Sequence, residues 1–389
     1  MQTYFDNAAT SFPKPNVVIE AMVKYQQFCG ASPGRGTYPE ATDASDVLEL
    51  CRYKLSELVH ATKPNHCVFT LNCSDALNLA ILGIASHHRV LHEQVHMVTT
   101  AMDHNSVLRP LHALEHLGVE NTIVKADSIT GIVNPEDIAS AIKPHTRLVI
   151  VAHGSNVTGT VQDIASIGRV CDKIPFLVDA AQTMGHTHID VQEMNIDLLA
   201  FPGHKGLLGP LGTGGLIMRE DMDRFISPIR FGGTGSASEY PYQPIELPYK
   251  YETGSHNMVG ICGLLAAIEW ILSTGVDVIH EHEMSLCEQF IEGLSEVRDV
   301  QIVGPQTSEH RCGVFSLRFD ERPETAAEQL EMAGIKCRPG LHCAPYAHKT
   351  LGTDKFGGTV RVSFGPFHTQ EDVSSLVRQI AHCSQKVLL

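Results

Sequence analysis

Short apolar segments alternate with amphipathic segments of helical length through the first half of this chain. This alternation restricts the fold more than any other feature. Helical patterns at 74–86, 105–117, 135–143 and 161–172 separate most of seven apolar segments, which are VFTL (68–71), HMVTT (96–100), NTIVKA (121–126), RLVIVAH (147–153), FLVDA (176–180), DLLAF (197–201) and GGLIM (214–218). Strands that alternate with helices form a mostly parallel sheet covered by helices. The sequence therefore predicts an α/β fold with a seven-stranded, mostly parallel sheet.

Further helical patterns flank the alternating region. Apolar residues in NVVIEAMVKYQQFC (16–29) recur at helical spacing after Asn16, which we expect to cap the helix. Residues 228–260 are rich in Gly, Pro, Ser and Tyr and predict a long functional loop. The other predicted helices are at 43–60, near 259–274, near 277–297, and at 370–386 after a Thr369 cap. The last 130 or so residues thus predict a smaller α+β region, since domains rarely grow beyond about 250–300 residues on a single core.

Charge and composition exclude several classes of protein. The 389-residue chain has 29 Lys and Arg against 44 Asp and Glu, a net charge of −15, and shows no basic patch. Such a surface repels phosphate backbones, so we expect no nucleic-acid partner. No apolar run reaches the roughly 20 residues of a membrane span, which predicts no membrane partner. The N-terminal MQTYFDNAATSF lacks the regions of a signal peptide, and we expect a cytoplasmic protein.

The cysteine pattern argues against disulfide bonds and against a structural zinc site. Eleven cysteines are present, an odd number, and no two form a C-x-x-C pair. This pattern is unlike a zinc ribbon or a disulfide framework. We expect most of the thiols to be buried as small apolar groups and one or two to be reactive.

Polar residues follow the predicted strands closely. They are Ser74, His104, Asn156, Asp179 and Lys205. Ligands of such sheets bind at the carboxyl ends of the strands, so these side chains are candidates for one site. Lys205 also lies between glycines in AFPGHKGLLGPLGTGGLIM (200–218), where close approach of the backbone to a ligand is possible.

The spacing of these residues suits a particular cofactor chemistry. Asp179 ends one strand, and Lys205 follows the next strand along the chain. An aldehyde cofactor needs a lysine, and a pyridine ring needs an acid beside its nitrogen to act as an electron sink. A phosphate needs the amides of a helix N-terminus, which LNCSDALNLA (71–80) supplies at Ser74. The ordered set indicates a site for such a cofactor.

Motifs along nearly the whole chain support this interpretation. They are YFDNAATSFPKP (4–15), MDHNS, HGSNVTG, VDAAQ, GHKG, ETGSHN, RPGLHCAPYAHKTLGT (338–353) and VRVSFGPF (360–367). With them the chain resembles the class V, fold-type I pyridoxal-phosphate enzymes, and within that class it is similar to the group II cysteine desulfurases and selenocysteine lyases. The resemblance implies a large cofactor-binding domain at 15–255, and a small domain at 256–389 that includes residues 1–14.

The resemblance also assigns roles around pyridoxal 5′-phosphate. Lys205 would form the Schiff base, and Asp179 would pair with the pyridinium nitrogen. Gln182 would bond the phenolic oxygen. His104 would stack on the ring and help to move protons, and Asn156 would lie near the phenolic oxygen and the substrate carboxylate.

The phosphate group would have its own set of residues. Ser74, the backbone at Cys73, and His204 would hold it, and Ser255 would reach the phosphate of a partner subunit, which implies a homodimer. Pro202 stands where the family usually has a phosphate-binding serine, and proline has neither a hydroxyl nor an N–H donor. Phosphate binding would then depend on the remaining residues.

For the substrate, the resemblance implies an arginine clamp and a thiol. Arg361 would bind the carboxylate bidentately, with Arg338 and His342 also in the substrate site. Cys343 would take sulfur from L-cysteine as a persulfide, release L-alanine and pass the sulfur to an acceptor protein. A thiolate needs positive or hydrogen-bonding neighbours, for which Arg338, His342 and His348 are close in sequence. Leu341 replaces a histidine common in group II enzymes, so a selenocysteine lyase or another C–S β-lyase is the alternative.

Different classes of function have weaker motifs. HEQVH (92–96) matches the zinc-peptidase pattern H-E-x-x-H, but it continues into a strand pattern, so His92 and His96 would not share a helix face. We expect His88, His92 and His96 to be exposed, HEHE (280–283) to lie on a solvated helix face, and no metal site. GLLGPLGTGG lacks both nucleotide-binding glycine patterns. A zinc hydrolase, a nucleotide-binding enzyme and a non-catalytic interaction protein are the rivals.

Overall fold

The computed structural model describes residues 3–236 and 238–385. Its helices are α1 (Asn16–Phe28), α2 (Pro39–Leu58), α3 (Cys73–Val90), α4 (Asn105–Glu115), α5 (Pro135–Ala141), α6 (Ile164–Cys171), α7 (Met258–Thr274), α8 (Val276–Ser295), α9 (Pro323–Met332), α10 (Pro345–Thr350) and α11 (Gln370–Gln385). Its strands are β1 (Cys67–Thr70), β2 (His96–Thr100), β3 (Glu120–Val124), β4 (Thr146–Ala152), β5 (Phe176–Asp179), β6 (Leu198–Pro202), β7 (Gly214–Met218), β8 (Val300–Val303), β9 (Val314–Phe319), β10 (Arg338–Gly340) and β11 (Thr359–Ser363).

The predicted seven-stranded sheet is confirmed. Its strand order is β1-β7-β6-β5-β4-β2-β3, and β2 to β6 pair in parallel where they are neighbours. Only β7 runs against its neighbours, because residues 203–213 return the chain too directly for the crossover that a parallel pair requires. The carboxyl ends of β1, β2, β4, β5 and β6 therefore meet at one edge of the sheet, where ligands of such folds bind.

Helices cover both faces of this sheet. One face packs against α1, α2, α6 and α7 in an apolar core that includes Leu55, Phe176 and Phe201. The other face packs against α3 and α4 around Leu77 and Ile81. Because helices exclude water from both faces of the sheet, the strands have nearly continuous apolar sequences.

A second sheet follows in the chain. It has four antiparallel strands in the order β10-β11-β9-β8. Helices α8, α9 and α11 pack on it, and the rings of Phe290, Phe315 and Phe364 lie with centroids 4.8–5.6 Å apart in its core. Aromatic rings at such separations contribute attraction beyond the area that they bury.

The N-terminal segment connects the two sheets. Tyr4 and Asp6 form parallel β-bridges with Lys336 and Ser363 beside the small sheet. A few residues later, the Ser11 amide and hydroxyl both donate to the His204 carbonyl beyond β6. Residues 4–11 therefore fix the edge of the large sheet relative to the small sheet.

Several predicted boundaries shift for identifiable reasons. Helix α2 begins at Pro39 rather than at 43, since proline suits the first turn of a helix. Helix α6 begins at Ile164 rather than at 161, because the Asp163 carboxylate caps it. Asn16 is the first helical residue and not the cap. The Thr369 cap is confirmed, since the Thr369 hydroxyl oxygen accepts from the Asp372 amide at 3.2 Å, while residue 386 of that predicted helix lies outside the described residues.

The described residues of 228–257 contain no helix or strand, in agreement with the predicted loop. Among the residues described here, no single helix is long and apolar enough to cross a membrane; α7 and α8 pass such a test only as a pair, bent by 80°.

Two predictions for histidine-rich segments are wrong. His96 is buried, because it begins β2 and its ring bonds the hydroxyls of Thr122 and Thr146. His92 lies in the turn before that strand, so the two histidines share no helix face. The HEHE segment does not form a solvated face either: Glu283 is buried with its Oε2 2.6 Å from Nδ1 of His186.

Candidate active site

A cavity of about 480 Å³ opens where the carboxyl ends of the parallel strands meet. Its walls carry the residues that the sequence analysis placed after strands. Those on the lining are Cys73, Ser74, His104, Asn156, Asp179, Gln182, Pro202, His204 and Lys205. The fold thus brings together side chains from five separate connections.

Lys205 lies in a tight turn immediately after β6. A Cβ atom on Gly203 would come within 2.1 Å of the Thr213 hydroxyl, and one on Gly206 within 2.3 Å of the His186 ring. The flanking glycines are therefore required by close packing, and the Ser11 hydroxyl also donates to the Lys205 carbonyl at 2.9 Å. Burial, with the positive charge of Arg361 as a second cause, lowers the pKa of the Lys205 amine.

Asp179 is the last residue of β5 and is buried at the cavity wall. Its Oδ1 accepts from the Ala181 amide at 2.9 Å and from the Cys73 thiol at 3.4 Å. Burial raises the pKa of Cys73 well above its usual value, so this thiol keeps its proton and can donate it. These contacts hold the carboxylate at the cavity wall. From there its negative charge opposes the lowering of the Lys205 pKa.

His104 caps α4 and remains neutral at physiological pH. Its Nδ1 accepts from the Ser106 amide at 3.0 Å, which places the hydrogen of the neutral ring on Nε2. Burial lowers the pKa of His104 to about 4, although Asp179 opposes the shift. The ring therefore offers the cavity a neutral aromatic face.

The N-terminus of α3 forms another part of the wall. Asn72 caps the helix by accepting from the Asp75 amide, and the Ser74 hydroxyl lies 2.6 Å from that of Ser106. His204 lines the same cavity and has a buried Nδ1 without a hydrogen-bond partner in the described part of the chain. Burial lowers the pKa of His204 to about 4. Helix amides and an unpartnered imidazole suit an anionic group such as a phosphate.

Gln182 and Asn156 each contact the backbone beside the cavity. The Gln182 side chain donates to the Ala8 carbonyl at 3.1 Å, and the Asn156 side chain donates to the His342 carbonyl at 2.6 Å. Both amides line the cavity as well, so each joins the site to a distant part of the chain.

Arg361, predicted to clamp the substrate carboxylate, is buried next to Asn156 and is not itself among the residues that line the cavity. Its Nη1 donates to the Asn156 carbonyl at 3.2 Å. Its Nη2 lies 3.1 Å from Oδ1 of Asp6, while Arg338 contacts the other oxygen of Asp6 at 2.8 Å. The Arg361 Nε is buried and has no partner within residues 3–236 and 238–385. A charged donor of this kind suits a carboxylate ligand.

Asp6 is a site residue that the sequence analysis did not single out. It precedes every predicted strand and helix, so no strand-end signal marked it. Asp6 comes close to the site because the N-terminal segment forms β-bridges beside the small sheet, a tertiary contact that the sequence does not reveal.

Cys343 lies on the loop between β10 and α10. Of the eleven cysteines, all within the described residues, it is the only one that is exposed. The backbone φ angles of His342 and Cys343 are +47° and +57°, and the Cys343 carbonyl accepts from the Asn105 amide at 2.8 Å.

The neighbouring histidines do not provide the predicted positive charge. Burial, followed by the charge of Arg361, lowers the pKa of His342, and burial lowers the pKa of His348 to about 4. His348 is fully buried and bonds the Thr353 hydroxyl, and His342 bonds that of Thr359. Both rings are therefore neutral at pH 7 and bring no positive charge to the Cys343 loop.

Ser255 does not line the main cavity in the described chain. It lies in a separate cavity of about 230 Å³ together with Thr253, His256 and Asn257, and residues Leu71 and Gly212 line both cavities. The two cavities are therefore adjacent, and of these two Ser255 lines only the smaller one.

Comparisons with known proteins agree with this site. The profile of the family Aminotransferase class-V matches residues 3–376. A probable cysteine desulfurase of Methanothermobacter thermautotrophicus is 36% identical over 377 residues, which cover 96% of this chain and 92% of that protein. One from Pyrococcus abyssi is 35% identical and covers 96% and 92% of the two chains.

Solved structures show the same similarity. The apo structure of a cysteine desulfurase from Thermococcus onnurineus NA1 superposes with a TM-score of 0.91 at 32% identity and covers 98% of this chain and 94% of that one. A cysteine desulfurase from Escherichia coli, in an S-sulfonic acid form, gives a TM-score of 0.86 at 25% identity, with coverages of 99% and 95%.

Proposed function

The chain belongs to the class-V aminotransferase family, and from that premise we propose that it is a pyridoxal 5′-phosphate-dependent cysteine desulfurase. It converts L-cysteine to L-alanine and retains the sulfur as a persulfide on Cys343. The observation that carries the proposal is the position of an exposed cysteine whose loop is bonded to Asn105 and Asn156, the second of which also lines the cavity of Lys205 and Asp179.

The residues present suit this cofactor. Lys205 would link to it, Asp179 would face its ring nitrogen, and the α3 N-terminus with Ser74 and His204 would hold its phosphate. When bound, the cofactor supplies an aldehyde that condenses with amines and a ring that delocalises negative charge from the substrate. His204, whose buried Nδ1 has no hydrogen-bond partner among the described residues, would replace the contact that a serine at position 202 would make.

Lys205 and His104 handle protons in this proposal. Because burial lowers the pKa of Lys205, more of its amine is uncharged near neutral pH, and an uncharged amine can accept the substrate α-proton. His104, neutral above about pH 4, stacks without adding positive charge and can exchange a proton at Nε2.

Cys343 receives the sulfur. Its thiolate attacks the sulfur of L-cysteine, an S–S bond forms, and the bond between that sulfur and Cβ breaks. The electron pair remains on the carbon skeleton, which takes up a proton and leaves as L-alanine. Arg361 would hold the substrate carboxylate through its Nε, which has no hydrogen-bond partner among the described residues.

The test compares two variants of the purified holoenzyme. Lys205→Ala should lose the visible absorption of the lysine-bound cofactor. Cys343→Ala should keep that absorption but form no persulfide, and alanine release should fall by at least about 100-fold because the nucleophile is missing. Alanine and sulfide are measured after L-cysteine is added. Unchanged sulfide release by Cys343→Ala would instead indicate a C–S β-lyase, and an unaltered spectrum of Lys205→Ala would exclude the cofactor assignment.

The proposal extends to partners. A second copy of the chain would bring its Ser255 to the phosphate, since Ser255 lies outside the cavity of its own chain. The exposed persulfide would pass to a thiol of an acceptor protein.

A further inference from the structure

Two consecutive residues of the Cys343 loop have left-handed backbone conformations. The φ angles of +47° at His342 and +57° at Cys343 are uncommon for residues with a Cβ atom. A single turn bond closes the loop, from the Ala344 amide to the Leu341 carbonyl at 2.9 Å. Such a conformation persists only where surrounding contacts determine it.

The surrounding contacts come from two residues that follow strands of the large sheet. The Asn156 side chain, which follows β4 of the large sheet, donates to the His342 carbonyl at 2.6 Å. The Asn105 amide donates to the Cys343 carbonyl at 2.8 Å. The first of these two bonds depends on a side chain, whereas the second needs only the backbone at the start of α4.

We propose that Asn156 is a positioning residue for Cys343. Its amide carries two hydrogens, one of which the His342 carbonyl takes, so the other remains available inside the cavity. Arg361 donates to the Asn156 carbonyl and thereby fixes the residue from the opposite side. The same side chain therefore limits both the cavity and the range of positions that the thiol can reach. The inference rests on the proposed function only for the identity of the nucleophile.

Hydrogen exchange of the holoenzyme, without substrate, tests this role. Two variants remove the donor: Asn156→Ala, and Asn156→Asp, which keeps the shape but has no hydrogen to donate to a carbonyl. Asn105→Ala is the matched control, because Asn105 contacts the loop through its main-chain amide. The reporters are peptides that cover residues 339–346 and the Asn105 amide, and peptides from β9 report on global stability.

We expect exchange at 339–346 and at Asn105 to rise about 3- to 10-fold in both Asn156 variants, as for the loss of one hydrogen bond. Asn105→Ala should match the parent protein, and β9 should be unchanged in all variants. Parent-like exchange at 339–346 in Asn156→Asp would overturn the proposal, and so would an equal rise in β9, which would indicate a general structural role. Exchange does not depend on turnover, so this result stands apart from the activity of Cys343→Ala.

Discussion

At the scale of single residues, the turn that carries Lys205 has almost no free space. Gly206 packs against the His186 ring and the Met184 carbonyl, and a Cβ atom there would come within 2.3 and 2.5 Å of them. The His186 ring is itself fixed by Glu283. The position of the Lys205 amine thus depends on a glycine at position 206.

We predict that Gly206→Ala displaces this turn. Overpacking of this kind costs about 1–3 kcal/mol of stability. The variant should also bind the cofactor at least about 10-fold more weakly, as measured by titration of the apoprotein with pyridoxal phosphate. Gly233→Ala is the control, since its Cβ would meet nothing within 4 Å and its φ is not in the left-handed region. Parent-like melting and binding in Gly206→Ala would contradict the packing argument.

Residues of the site differ in how far the sequence predicts them. Asp179 and Lys205 follow strands, and the rule for the carboxyl ends of parallel strands places them together. Asp6 and Asn105 carry no such local signal, because their partners are the distant Arg361 and Cys343. The charge of His342 was also beyond prediction, since its pKa depends on burial that only the tertiary structure creates.

At the scale of elements, α8 connects the second half of the chain to the lysine turn. Its Glu283 accepts from the Gly313 amide and pairs with His186. Burial alone would lower the pKa of His186, but the charge and hydrogen bond of Glu283 outweigh it and raise that pKa. For Glu283, burial opposes the shift, and the charge of His186 contributes to a lowered pKa.

We therefore predict a pH-dependent cost for Glu283→Gln. The contribution of protonated His186 to stability is fully present below the ordinary histidine pKa of 6.5. This contribution is lost as the pH rises through the raised pKa that His186 has in the folded protein. Denaturant unfolding should show a loss of about 3 kcal/mol at pH 6 that shrinks at higher pH.

Glu281→Gln, exposed on the same helix, is the control and should change stability by less than about 0.5 kcal/mol. A loss in Glu283→Gln that is equal at pH 6 and pH 9 would show that the pair is not ionised.

The sequence predicts helices and strands better than it predicts which distant residues pack against them. The strand segments and the Thr369 cap follow from apolar spacing and hydroxyl capping, which are local properties. Glu283 was misplaced because HEHE has the composition of a solvated helix face. Its burial results from packing against residues 186 and 313, which are far away in the sequence.

At the scale of the whole molecule, apolar side chains are exposed on the 228–257 loop and near the cavity. Phe231, Tyr240, Tyr242 and Ile245 are 65–81% exposed, and Leu71 and Leu211 are exposed beside the cavity. Exposed apolar groups in such number mark a surface that another protein covers. They support the proposed second copy, whose Ser255 would then lie close to this cavity.

We predict a mass of twice 42.5 kDa in sedimentation experiments at micromolar concentration. The double variant Tyr242→Asp, Ile245→Asp should weaken the dimer by at least about 100-fold, because it places two charges in an apolar interface. Met332→Asp, at an equally exposed methionine of α9, should leave the mass unchanged. A parent protein that sediments as a single chain would remove the basis for a role of Ser255 across subunits.

The shortness of the Cys343 loop has a consequence for delivery. Only residues 341–344 separate β10 from α10. Even fully extended, these residues would span no more than about 14 Å. Because one of its carbonyls accepts from the Asn105 amide and another from the Asn156 side chain, we expect that the loop cannot carry a persulfide far from the cavity. We therefore expect the proposed acceptor protein to bring its thiol to this surface on a narrow projecting segment.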